Sequence, residues 1–135
     1  EGISFFTKSD EARKFIVATG ADMLAPAVGN FHGMLRHGDK PRLNIDCIKD
    51  LSRNITAPLV LHGGSGEDRD FEAAIDAGIV VVHVSTELRR TYTNALKEYI
   101  KTYPDEITPS KYGMNAALAM EKVVLEKLKV FNRIK

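Results

Sequence analysis

Three short apolar runs, set between stretches of helical spacing, constrain the fold of this chain more than any other feature. Met23 to Val28, Pro58 to His62 (PLVLH) and Ile79 to Val84 read as buried strands, too short and too evenly apolar to be amphipathic helices. Ala12, Phe15 and Ile16, with Thr19 on the same face, recur at helical spacing before Gly20, with Ser9 or Asp10 as the expected cap. Ile45, Ile48, Leu51 and Ile55 predict a helix ending near Thr56. Phe71 to Ala77 predicts a helix closed by Gly78. Ser85-Thr86 starts a long helix reaching about Thr102, and a last helix runs roughly from Met114 to Phe131. The order is α-β-α-β-α-β-α-α, and strands alternating with helices in this way are parallel. Pro26 argues against full pairing of the first run, because it has no N–H to give a ladder.

Three strands make a poor complete sheet. A (β/α)8 barrel takes about 250 residues, and three of its units with a terminal extension take about half of that. The expected fold class is therefore α/β, a TIM barrel. Residues 1–135 would cover roughly its last three strand–helix units and its C-terminal helices, as the C-terminal portion of one barrel domain. The chain opens on Glu1 rather than Met and enters structured-looking sequence at once, as a piece of a longer protein would.

Composition narrows the function classes. Nineteen basic against eighteen acidic residues give a formal charge of +1, which points away from nucleic acid or an anionic membrane as the main partner. The longest apolar run, roughly Ala77 to Val82, falls far short of the about 20 residues that span a bilayer. No basic-then-apolar secretory start is visible. Cys47 is the only cysteine, so a reducing, cytoplasmic setting is expected. Cys47 itself reads as a core or half-buried residue, and Phe5, Phe6, Phe15 and Phe71 as packing residues. The charges from Glu121 to Lys129 read as a solvated helix face, and Arg89-Arg90 as exposed surface from which one of the pair could reach a second phosphate.

Parallel sheets bind ligands at the carboxyl ends of their strands. The loops leaving those ends carry Gly29, His32 and Gly33; then His62, Gly63, Gly64, Ser65 and Gly66; then His83, Ser85 and Thr86. Glycines directly after a strand bring bare backbone N–H groups towards a ligand, and such groups suit phosphate oxygens. His32 and His62 lie one strand–helix unit apart, each followed by Gly, and two imidazoles on neighbouring strand ends can share one divalent metal ion. His83 is read as a substrate contact, then as a core histidine, then as a third ligand; His37 in the polar loop is read as exposed. Ser85-Thr86 can cap the following helix and also line a phosphate pocket, because both roles use the same backbone donors.

GNFHG (29–33), LVLHGGSG (59–66) and VHVSTELR (82–89) resemble three successive motifs of the class II, zinc-dependent ketose-bisphosphate aldolases, which include fructose-bisphosphate and tagatose-bisphosphate aldolases. The likeness extends from the DEARKFIVATGAD helix to the YPDEITPSKYGMNAALAMEKVVLEKL segment. It implies a lyase that cuts a ketose (bis)phosphate, such as fructose 1,6-bisphosphate, into dihydroxyacetone phosphate and an aldehyde such as glyceraldehyde 3-phosphate. It implies Zn2+ or another divalent metal, polarising the ketose carbonyl, with His32 and His62 matching two of three histidine ligands. Gly33, Gly63, Gly64, Ser65, His83, Val84, Ser85 and Thr86 match the site for the dihydroxyacetone phosphate half of the substrate. A monovalent cation near the phosphate and a homodimer or homotetramer are further implications. Two departures stand out. The family's remaining zinc histidine follows the catalytic Asp in an Asp-His pair, and no such pair occurs here, so these residues alone should not catalyse the reaction. The family usually has Asn where His83 stands, which brings another phosphorylated ketose into consideration. The rivals are a non-catalytic aldolase-like protein that binds metal or sugar phosphate, and another metal-assisted barrel enzyme such as an epimerase or hydrolase.

Overall fold

The structure, a computed structural model, describes residues 6–31, 42–66 and 68–133, and it divides into two compact units, Glu1–Val84 and Ser85–Lys135.

The first unit is built on parallel pairing. Strands β1 (Leu59–Leu61) and β2 (Ile79–Val82) pair with Leu59 opposite Ile79, Val60 opposite Val81 and Leu61 opposite Val82, with an irregularity between Leu59 and Val60. The expected strand at 23–28 shrinks to a single parallel bridge from Leu24 to Leu59 on the other side of β1. The bridge consists of Leu24 N–H donating to Pro58 O (3.0 Å) and Val60 N–H donating to Leu24 O (2.8 Å). Pro26 follows without a donor, and Ala27 turns to Thr7 instead: its N–H reaches Thr7 Oγ1 and its carbonyl accepts from Thr7 N–H, both at 2.8 Å.

Helices α1 (Ser9–Thr19), α2 (Ile45–Asn54) and α3 (Phe71–Ala77) complete the unit, with a short 3-10 turn at Asp68–Asp70 before α3. All three β1 residues are buried, and Ile48 and Leu51 of α2 with Phe71 and Ala74 of α3 have no exposed surface. Each large apolar side chain removed from water in this way contributes about 1.5–3 kcal/mol before entropy is counted. Asn44 caps α2, its side chain accepting from Cys47 N–H at 2.9 Å. Cys47 is half-buried; burial and then the neighbouring Asp50 charge push its thiol above the ordinary value. The α1 cap differs from expectation. Lys8 holds the cap position without a side-chain bond, and Asp10 pairs with Arg13 at 2.8 Å instead. Phe15 also differs, at 52% exposed, because α1 buries Ala12 alone; Phe6, ahead of that helix, is 38% exposed. Phe5 lies outside the described residues.

Gly78 joins α3 to β2 at φ 122°, and a Cβ there would sit 2.5 Å from Ser52 Cβ. The hydroxyl of Ser52 donates to Ala77 O (2.9 Å), so the helix end is held against α2 at the point where a side chain would wedge it away.

The second unit is a helical hairpin of α4 (Thr86–Thr102) and α5 (Pro109–Asn132). The last helix begins five residues before the expected Met114. Thr108 is its N-cap and Pro109 its first residue, where a missing N–H costs nothing. Lys127 corrects the reading of a wholly solvated face: its side chain is 9% exposed and pairs with Glu87 of α4 at 2.9 Å. A buried pair of this kind fixes which faces of two helices meet, since either charge alone would be costly to bury. In the turn before α5, Lys111 Nζ reaches Glu106 Oε2 at 2.6 Å and Thr108 N–H reaches Oε1 at 3.0 Å. The Lys111 bond, then the Thr108 bonds, hold the Glu106 carboxyl down at about 2. Among the described residues no helix is long and apolar enough to cross a membrane.

Two outcomes follow from these contacts. Gly78→Ala should destabilise the protein by about 1–3 kcal/mol from backbone strain, with the Ser52 clash added. Gly20→Ala, at φ 67° with open space around it, should cost about 1–2 kcal/mol and less than Gly78→Ala. Denaturant unfolding of both variants checks the order. Because the Glu106 carboxyl titrates lower folded than unfolded, its contribution is complete above the ordinary carboxylate range and fades as pH falls towards about 2. An NMR titration of the Glu106 side chain should show that low midpoint in wild type and a rise towards about 4.3 in Lys111→Met.

Candidate active site at the strand ends

The register of β1 and β2 decides which residues meet. His62 follows the last residue of β1 and His83 follows the last residue of β2, and Leu61 lies opposite Val82, so both histidines leave the sheet at one level. The backbone ladder continues past the strands: His83 N–H donates to Leu61 O (2.9 Å) and Gly64 N–H donates to His83 O (3.0 Å). The two rings meet edge to face, with centroids 4.5 Å apart and planes at 81°. His83 Nδ1 lies 3.1 Å from His62 Nε2. His62 is half-buried and His83 exposed.

Gly64 is required by close approach. A Cβ there would lie 2.9 Å from Val82 Cγ1 and 3.0 Å from His83 O, so any other residue would push the turn off the end of β2. Its N–H, expected to face a phosphate, is committed here to His83 O. Ser65, expected as a hydroxyl donor, is only 2% exposed. In the second unit Ser85 takes the N-cap position of α4 without a side-chain cap bond, accepting from Arg89 N–H (3.0 Å) through its carbonyl. Thr86 opens the helix, Val84 is half-buried, and Arg89 and Arg90 are exposed.

Two residues that sequence reasoning passed over hold the loops around His62. Asn30 accepts from Val28 N–H through Oδ1 (2.9 Å) and donates from Nδ2 to His62 O (3.1 Å), tying the end of the Leu24 segment to the end of β1. A local Asn-to-backbone bond two residues away is a common turn device, and that was the available signal. Asp70, with its side chain 2% exposed, accepts from Leu43 N–H (3.0 Å) and pairs with Arg42 (2.6 Å). Leu43 and Arg42 lie 27 and 28 residues before it, and no local pattern announces them.

His32 and Gly33, with His37, lie outside the described residues. Among the described residues no group of three or more His, Cys, Asp or Glu side chains could hold a metal ion. Imidazole nitrogens at a strand end are donors that zinc accepts, and catalytic zinc takes typically three protein ligands. His62 therefore fits such a site as one member of a larger ligand set.

The fold and its sequence have known counterparts. The family described as Fructose-bisphosphate aldolase class-II matches residues 1–135. The crystal structure of the YdjI aldolase from Escherichia coli K12 is similar over 93% of this chain, with a TM-score of 0.79 and 35% identity. The fructose-bisphosphate aldolase (Fba) structure from Campylobacter jejuni matches 95% of the chain with a TM-score of 0.75, and at 17% identity it speaks to fold alone. This chain spans 46% of the length of each of those two proteins, so its α/β architecture corresponds to part of a TIM barrel. By the match over its whole length, the chain belongs to the class II fructose-bisphosphate aldolase family.

Proposed function

We propose that residues 1–135 are the C-terminal portion of a single aldolase barrel domain. The complete protein cleaves a ketose phosphate, such as fructose 1,6-bisphosphate, to dihydroxyacetone phosphate and an aldehyde. The observation that carries this reading is His62. It stands at the end of β1, at the head of the HGGSG turn, beside a second histidine on the neighbouring strand. His62 and His32 would hold a divalent metal, zinc by preference, with the third histidine and the acid/base Asp supplied from outside these residues. When bound, that ion supplies Lewis acidity at the ketose carbonyl. The chain's own part is positioning: Asn30 and Gly64 fix the two strand ends from which His62 and the glycine turn would meet the substrate. Gly33, Gly63, Ser65 and the 83–86 segment are assigned to the phosphate half on the same reading. A homodimer or homotetramer in the cytoplasm, with a monovalent cation near the phosphate, completes it. The alternative is a non-catalytic aldolase-like protein that binds metal or sugar phosphate; His83 favours it.

Triose-phosphate release by the complete protein, measured before and after treatment with a chelator, tests the reading. Release should stop on chelation and return with added Zn2+. His62→Ala should weaken metal binding by more than the about 10–100-fold that loss of an outer partner costs. Chelator-insensitive release, or unchanged metal content in His62→Ala, would sink the proposal; metal binding without release selects the non-catalytic alternative.

A further inference from the structure

The contact between His62 and His83 fixes more than proximity. Two ring nitrogens 3.1 Å apart share one hydrogen, so His62 Nε2 either donates a proton to His83 Nδ1 or offers it a lone pair. In either case Nε2 is occupied, and a nitrogen so occupied does not also bind a metal. If His62 is a ligand, as the proposed function requires, its metal bond falls to Nδ1. A neutral imidazole bound through Nδ1 keeps its proton on Nε2. His62 is then the donor and His83 Nδ1 the acceptor, and the neutral His83 ring keeps its own proton on Nε2.

We infer that His83 is a positioning residue: it accepts from His62 Nε2–H, locks the tautomer and angle of the His62 ring, and so aims His62 Nδ1 at the metal. The backbone makes this arrangement stiff. His83 N–H is bound to Leu61 O, His83 O to Gly64 N–H, and His62 O to Asn30 Nδ2, so the backbones that carry the two rings are held side by side and only side-chain rotation is left for the ring contact to fix. The rings stand at 81°, which brings the edge nitrogen of one ring to that of the other without stacking them. The same bond gives His83 a second use. With its Nδ1 engaged, its exposed ring carries a single donor, Nε2–H, for an oxygen of the bound substrate.

The test uses the complete protein with His ring nitrogens labelled with 15N and the metal site loaded with 113Cd2+, and Zn2+ affinity measured by competition with a chelator. The expected result is a 113Cd coupling to His62 Nδ1, a proton on His62 Nε2, and no coupling to either nitrogen of His83. His83→Ala should weaken Zn2+ binding by about 10–100-fold. His83→Asn, whose amide also offers one acceptor and one donor, should recover most of that loss. A coupling to His62 Nε2 or to His83 would overturn the inference, as would unchanged Zn2+ affinity in His83→Ala. Failure of the underlying aldolase reading looks different: His62→Ala would then keep its metal, and no coupling to His62 would be seen at all.

Discussion

Everything at the candidate site depends on one pairing, Leu61 opposite Val82 in two parallel strands. In a parallel ladder a slip of one residue turns each side chain to the other face, and after the irregularity at Leu59 and Val60 the register holds from Val60–Val81 onwards. Here the ladder runs on past both strands through His83 N–H to Leu61 O and Gly64 N–H to His83 O. Those two bonds convert a sheet register into a ring-to-ring distance. Had β2 been displaced by one residue, His83 would face away from His62 and Val82 or Val84 would stand in its place.

The register is itself held from outside the strands. Ile48 and Leu51 of α2 and Phe71 of α3 are fully buried where the two helices pack, and the α3–β2 junction has no room for a side chain at Gly78. Asp70 adds a polar anchor. A carboxylate almost without exposed surface is tolerable only when its oxygens are bonded, and Leu43 N–H and Arg42 satisfy them. Those partners lie just before α2, so a buried charge at the residue before α3 ties the approach to α2 to the start of α3. Core packing and the position of His62 are thus parts of one construction.

The sequence carried the outline because the strongest signals were local. PLVLH followed by GGSG marks a strand end whatever surrounds it, and α3 and α4 begin and end where Phe71, Gly78 and Thr86 indicate. The errors arose where a local rule met a long-range partner. Pro26 lay within an apolar run, and the run gave way to a single bridge because Ala27 had Thr7 to bond instead. The last helix opens at Pro109, ahead of the apolar spacing that marks it from Met114, because proline suits the first position of a helix. Apolar residues inside is a one-way rule, so Phe15 could stand at 52% exposure while Lys127 went inside to meet Glu87. The contact between His62 and His83 needed both the parallel register and the rotamers, and spacing alone left three roles open for His83.

One asymmetry in the sheet bears on what the site still requires. β1 has a neighbour on each side and buries every residue, whereas β2 has one neighbour among the described residues and leaves Val80 65% exposed. A parallel strand in a barrel is covered on both faces and paired on both edges, and an apolar edge left open is a liability in water. The two solved relatives place this fold within chains of which it covers 46%. On the aldolase reading, the acid/base Asp and the third histidine would come from outside these residues, as would further strands of the barrel. Among the described residues β2 offers such strands an unpaired edge, whereas β1 is already flanked on both sides.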